Sequence, residues 1–181
     1  MDDEALATAL GVARSAELLS NWRPRDWPAL AVELLLAGID DLEVAELAGL
    51  SASVTGWETD PLAASLYDKH GVPLPDPDQA VTLLARLLAT DLRLRPATVT
   101  APMIRMVAGL AVAAPESGLA TQCSYSEEYL DCDCVPKTVP EAELEAELEN
   151  LTPLTLPDGL VQVLARPLRS TLPRSQPPHG H

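Results

Sequence analysis

The sequence predicts an all-α protein, an irregular bundle of about seven or eight short helices with a Pro-rich C-terminal tail. Three observations carry that expectation. With 181 residues, 47% of them hydrophobic, the chain is long enough and apolar enough for one domain with a real core. Aromatics are only 3% and Phe is absent, which leaves burial to Leu, Ala and Val, and Ala and Leu are the strongest helix formers. Apolar residues recur at helical spacing between Asp, Pro and Gly punctuation, and the single strand candidate, residues 91–99, is weakened by Pro96.

Each element has its own cause. Residues 3–20 place Leu6, Ala9, Leu10, Ala13 and Ala16 on one stripe, with Asp2, Asp3 and Glu4 where the helix dipole favours anions. Trp22-Arg23-Pro24 and Trp27-Pro28 then force an extended turn, and the two Trp read as packing residues at a core edge. Pro28 opens a second helix to Ala37, stopped by Gly38. Asp40 or Asp41 caps a third, Leu42 to Ala48, ended by Gly49. Asp60-Pro61 reads as the start of a fourth, Leu62 to Lys69, ended by His70-Gly71. Pro73, Pro75 and Pro77 make a stiff connector, and Asp76 or Asp78 opens a fifth through about Thr90. Further helices are expected over 103–113, 116–130 and 140–148. Residues 1–150 are thus read as an acidic helical domain. Residues 151–181 are the Pro-rich tail, partly docked through Leu160 to Leu164 and then disordered.

Charge narrows the functional classes. Asp plus Glu number 27 against 12 for Lys plus Arg, a net charge of -15, and residues 1–150 alone hold 26 acids against nine cations. A field of that sign repels nucleic acid and anionic lipid and attracts cationic partners. The acidic N-terminus lacks the basic region of a secretory signal, and no apolar run approaches the roughly 20 residues of a membrane span. Cytoplasmic residence is therefore expected, with no membrane association. The densest acids lie at Glu127, Glu128, Asp131, Asp133, Glu141, Glu143, Glu145 and Glu147, which form the expected partner-binding surface.

Two resemblances follow from quoted residues. VAELAGLSASVTGW, within residues 41–57, resembles the first two helices of a bacterial helix-turn-helix DNA reader, with small Ala45 at the crossing and Val44, Leu47, Leu50 and Val54 as core. The second helix of such a reader presents cations or amides to DNA, whereas SASVTGWETDP has neither, contains Gly56 and runs into Pro61. It is expected to pack rather than to read. The order GID, DLEVAELAGL, a Trp-containing spacer, a short helix and HGVPLPDPDQA resembles small helical actinobacterial proteins of unassigned function over about residues 28–90. That resemblance implies a helical domain and no activity.

Catalytic and metal signals are thin. Cys123, Cys132 and Cys134 stand at C-x8-C-x-C spacing, a poor match to the C-x2-4-C pairs of structural zinc sites, so they are weak metal candidates beside roleless or redox-paired thiols. His70, two residues from Asp68, fits general-base work but also ordinary capping before Gly71. No phosphate loop, nucleophile elbow or H-E-x-x-H pair appears, and no cofactor is expected. The leading reading is a non-catalytic acidic interaction protein for a basic partner, with immunity-like, nucleic-acid-mimic and adaptor roles equally open. A DNA-binding regulator using residues 41–57 is the alternative, and a metal-dependent or hydrolytic enzyme ranks third.

Overall fold

In the computed structural model, residues 1–19, 22–51, 53–95, 142 and 146–170 are described. They form α1 (Asp3–Leu18), a 3-10 turn (Pro24–Asp26), α2 (Trp27–Leu36), α3 (Leu42–Ala48), α4 (Gly56–Lys69), α5 (Pro77–Leu94) and α6 (Asp158–Ser170). There is no strand among these residues. The expected helices over 103–113 and 116–130 and the tail end 171–181 lie outside the described residues.

The helix ends obey local chemistry. Asp2 caps α1 by accepting from the Ala5 N–H at 2.8 Å, and Asp76 caps α5 through Gln79 N–H at the same distance. α2 and α4 end in the same way. Gly38 (φ 87°) and Gly71 (φ 61°) take the left-handed conformation at C′, and Ile39 and Val72 donate back to the carbonyls of Leu34 and Tyr67. Those paired return bonds form the Schellman motif, which satisfies otherwise orphaned carbonyls and needs a residue without Cβ at the turn.

Three expectations about boundaries are corrected. α4 opens at Gly56 rather than Leu62, because Thr55 and Glu58 form a capping box: the Glu58 carboxylate accepts from the Thr55 N–H and hydroxyl, both at 3.0 Å. The capping box fixes the start, and Thr59, Ala63, Leu66 and Tyr67 bury the face that follows, with Pro61 held inside the helix. Residues 56–61 of SASVTGWETDP are thus helical, and 51–55 belong to the connection before α4. α5 runs past its expected end at about Thr90, so residues 91–94 of the weakened strand candidate are its last turn. Pro157 and Pro167 do not break the docked part of the tail into loop: Pro157 precedes α6, and Pro167 lies near its C-terminal end.

Packing places α6 at the centre, against α5, α2 and α1, while α3 joins α2 to α4. Leu160, Val161, Leu164, Ala165 and Leu168 of α6 share one core with Leu6, Leu10, Leu30, Leu34, Val81 and Leu84. At about 1.5–3 kcal/mol per buried aliphatic side chain, that shared face accounts for the docking of α6. Leu148, in the helical stretch 146–150, is also buried. α5 grips the chain leading into α6: Arg86 and Arg93 donate to the carbonyls of Thr152, Glu149 and Leu151, and the Thr90 hydroxyl accepts from Leu154 N–H at 2.8 Å.

Truncating these core positions measures the arrangement directly. Leu47→Ala, Leu84→Ala and Leu164→Ala are each expected to cost about 2–5 kcal/mol by urea unfolding. A loss below about half a kcal/mol at Leu164 would remove α6 from the core.

Candidate functional site

Among the described residues, a concave site lies where the end of α1, the 22–27 turn and α4 meet. Local sequence sets its walls. On α4, Thr59, Ala63 and Tyr67 repeat every four residues and face inward, and Asp60, Ala64 and Asp68 form the adjacent outer row. The α1 wall brings Arg14, Glu17 and Leu18, and the turn brings Trp22, Arg23, Pro24 and Trp27. These walls enclose about 420 Å³.

At the base sits the carboxylate of Glu17. Trp27 Nε1 donates to its Oε1 at 3.0 Å, and the Tyr67 hydroxyl donates to its Oε2 at 2.9 Å. Burial raises the carboxyl above the ordinary glutamate value of 4.5; the two hydrogen bonds oppose that shift, and nearby Asp60 reinforces it. Burial also pushes the Tyr67 phenol upward, helped by the charge of Glu17, so Tyr67 remains a donor. Arg14 lies with its guanidinium carbon 4.7 Å from the Tyr67 ring centroid and donates to the carbonyl of Val72. Trp22 and Trp27 pack edge to face at 5.9 Å and 82°, and Trp27 and Tyr67 are tilted at 5.9 Å and 59°. Trp22 is 7% exposed, and its buried indole N–H has no acceptor among the described residues.

Glu127, Glu128, Asp131, Asp133, Glu141, Glu143, Glu145 and the three cysteines Cys123, Cys132 and Cys134 lie outside the described residues. Glu147 is partly exposed in the helical stretch 146–150. Among the described residues, no group of three or more His, Cys, Asp or Glu is arranged to hold a metal ion. His70 does not pair with Asp68; its Nε2 lies 2.6 Å from Asp41 Oδ2, and Lys69 Nζ is 2.5 Å from Asp41 Oδ1. Asp41 thus stands at the N-cap of α3 without capping it, its carboxylate held by the end of α4. Lys69 is the first cause of its lowered pKa. His70 is therefore part of a latch between α3 and α4.

Trp22 and Trp27 are buried, as packing residues should be, whereas Trp57 is 94% exposed on the first turn of α4. Glu17 is the residue that sequence reading misses. Its partners are 10 and 50 positions away, so the only local hint is an acid on the α1 turn just before a Trp-rich bend.

The desolvated carboxylate has a pH signature. Because its pKa is raised in the fold, the native state keeps the proton longer than the unfolded chain, and stability is lost as pH rises from 4.5 through the folded value. Glu17→Gln removes that loss. The stability of the variant relative to the parent, measured by urea unfolding from about pH 4 to 7, should therefore improve as pH rises. A constant difference would show that Glu17 is not desolvated.

Comparison of this chain with protein-family models, with curated proteins and with solved structures gives no match, so the site stands on its own geometry.

Proposed function

We propose that this chain is a non-catalytic helical interaction protein whose acidic surface engages a basic partner protein. The observation that carries the reading is the excess of 27 acids over 12 cations. Lys69, Arg95 and Arg166 pair with Asp41, Asp91 and Asp26, and Arg14, Arg86 and Arg93 donate to backbone carbonyls of the same chain. Asp40, Glu46, Asp60, Asp68, Asp78 and Glu149 are exposed, against the exposed Arg23 and Arg25. The net negative field steers cationic partners and repels phosphate.

The α3–α4 connection favours the same reading over DNA recognition. It spans residues 49–55, against the three or four residues of a helix-turn-helix turn. Glu46 and Glu58, both exposed, are the charges beside it. For the membrane, no helix among the described residues is long and apolar enough to cross one.

The test is kinetic. With a basic partner isolated at low ionic strength, the association rate should fall steeply between about 50 and 500 mM salt while dissociation changes less. Replacing Glu141, Glu143, Glu145 and Glu147 together by Gln should slow association. An unchanged rate would sink the acidic-surface reading, and retarded DNA in a low-salt mobility-shift assay would favour a regulator instead.

A further inference from the structure

We infer that the outward face of α2, continued by Leu42 at the start of α3, seats a basic amphipathic helix of a partner protein. The inference rests on the proposed interaction role and names the surface and the kind of element it holds.

α2 is apolar on both sides. Its sequence, WPALAVELLL, has Glu33 as its one charged residue. Trp27, Leu30, Ala31 and Leu34 bury the inner face in the core, whereas Val32, Leu35 and Leu36 are exposed, Leu36 by 76%. These three stand at i, i+3 and i+4, so they form one outward stripe rather than scattered surface residues. Leu42, 69% exposed, follows across the connection 37–41, and its helix packs on α2. A helix apolar all round is normally covered on every side, and clustered apolar exposure marks an interaction surface.

The charge around the stripe selects the occupant. The chain has no Lys or Arg before Arg14, and none between Arg25 and Lys69. The α-ammonium of Met1 donates to the Ala37 carbonyl at 2.8 Å, which ties the exposed Asp2, Asp3 and Glu4 to the C-terminal end of α2. Exposed Asp40 lies just past the Gly38 turn. The Glu33 carboxylate fills the space that a Cβ on Gly159 would take, so Glu33 and the exposed Asp158 flank the middle of α2. Arg25 and Arg166 belong to the opposite end: Arg25 precedes α2, and Arg166 pairs with Asp26. A second copy of this face would set the acids against one another, whereas a helix with Lys or Arg beside its apolar stripe meets opposite charge at the rim. A helix is the fitting element because an i, i+4 ridge such as Val32–Leu36 packs into the groove of another helix, and the described residues present no strand edge to extend.

Fluorescence anisotropy with the full chain tests the inference at about 150 mM salt, where exposed charges are screened beyond about 8 Å. The probe is a fluorescein-labelled peptide of about 14 residues with Leu on one helical stripe and Lys elsewhere. Its controls are a scrambled peptide of the same composition and the same stripe carried with Glu in place of Lys. The Leu–Lys peptide should bind saturably, at least about tenfold more tightly than the scrambled one, and the Leu–Glu peptide should not bind. Val32→Gln combined with Leu36→Gln should weaken the Leu–Lys peptide by about tenfold or more. Gln is nearly as good a helix former as Leu and both positions are exposed, so this variant should melt as the parent does. Equal affinity for the scrambled peptide, or for the double variant, would overturn the inference. So would a melting temperature lowered by several degrees, which would show the face covered within the chain, or a dimer in sedimentation that the double variant abolishes, which would assign the face to a second copy. Salt-dependent association with a basic partner that ignores Val32→Gln and Leu36→Gln would refute this face while leaving the acidic-surface reading intact; failure of both Lys peptides to bind even at low salt would sink both.

Discussion

One carboxylate joins parts of the chain that local sequence leaves unconnected. Glu17 ends α1, Trp27 begins α2, and Tyr67 sits in the last turn of α4; the two bonds at Oε1 and Oε2 fix all three together. The constraint is costly, because burying a carboxylate is unfavourable unless its oxygens are satisfied. Here each oxygen has one donor from an aromatic side chain, and the rings that supply those donors also supply the apolar contact. A chain with no Phe has few aromatics to place, and it concentrates three of its six, Trp22, Trp27 and Tyr67, around this one acid. Elsewhere the core is Leu, Ala and Val, whose packing is non-directional. The register of α4 against α1 therefore depends on polar contacts: Glu17 with Tyr67, and Arg14 with the Val72 carbonyl just past the Schellman turn.

Much of the helical layout was legible because its stop signals are chemical and local. Leu42–Ala48 appears with the expected bounds, since Asp41 and Gly49 bracket a short apolar repeat. Gly38 and Gly71 mark helix ends because only a residue without Cβ turns there at little cost. The start of α4 is less legible for an equally local reason. Thr55-Gly56-Trp57-Glu58 is a capping-box pattern, but Gly56 and Pro61 beside it are helix breakers, so local signals conflict there. A proline at the second turn removes one bond; a capping box satisfies two groups, and Ala63, Leu66 and Tyr67 bury the face that follows. α6 shows the same imbalance. Leu160, Val161, Leu164 and Leu168 carry a helical apolar stripe, obscured in a segment whose prolines suggested continuous interruption.

The candidate site was legible only in part. Two of its aromatics were visible as packing residues, because Trp beside Pro at a helix boundary is a recognisable corner. Neither Glu17 nor Tyr67 was, since an acid on an amphipathic helix and a lone Tyr each have an ordinary surface explanation. What makes them a site is tertiary: a separation of 50 residues closed to a 2.9 Å hydrogen bond. The same holds for Asp41, whose sequence context says N-cap and whose carboxylate is instead held by Lys69 and His70. An acid at a helix start has two competing uses, and Lys69 and His70 at the end of α4 take this one.

The electrostatic design follows from these placements. Arg86 and Arg93 donate to carbonyls of the 149–152 segment. Such bonds stabilise the docking of α6, because a guanidinium satisfies several carbonyls at once. A bond to a neutral carbonyl leaves the charge in place, and Arg93 stays exposed, so these contacts fasten the segment without altering the net charge of the surface. In the α1–α4 cleft the same balance is drawn at close range: Glu17, Asp60 and Asp68 line it beside Trp22, Trp27 and Tyr67, with Arg14 and Arg23 as the opposing charges.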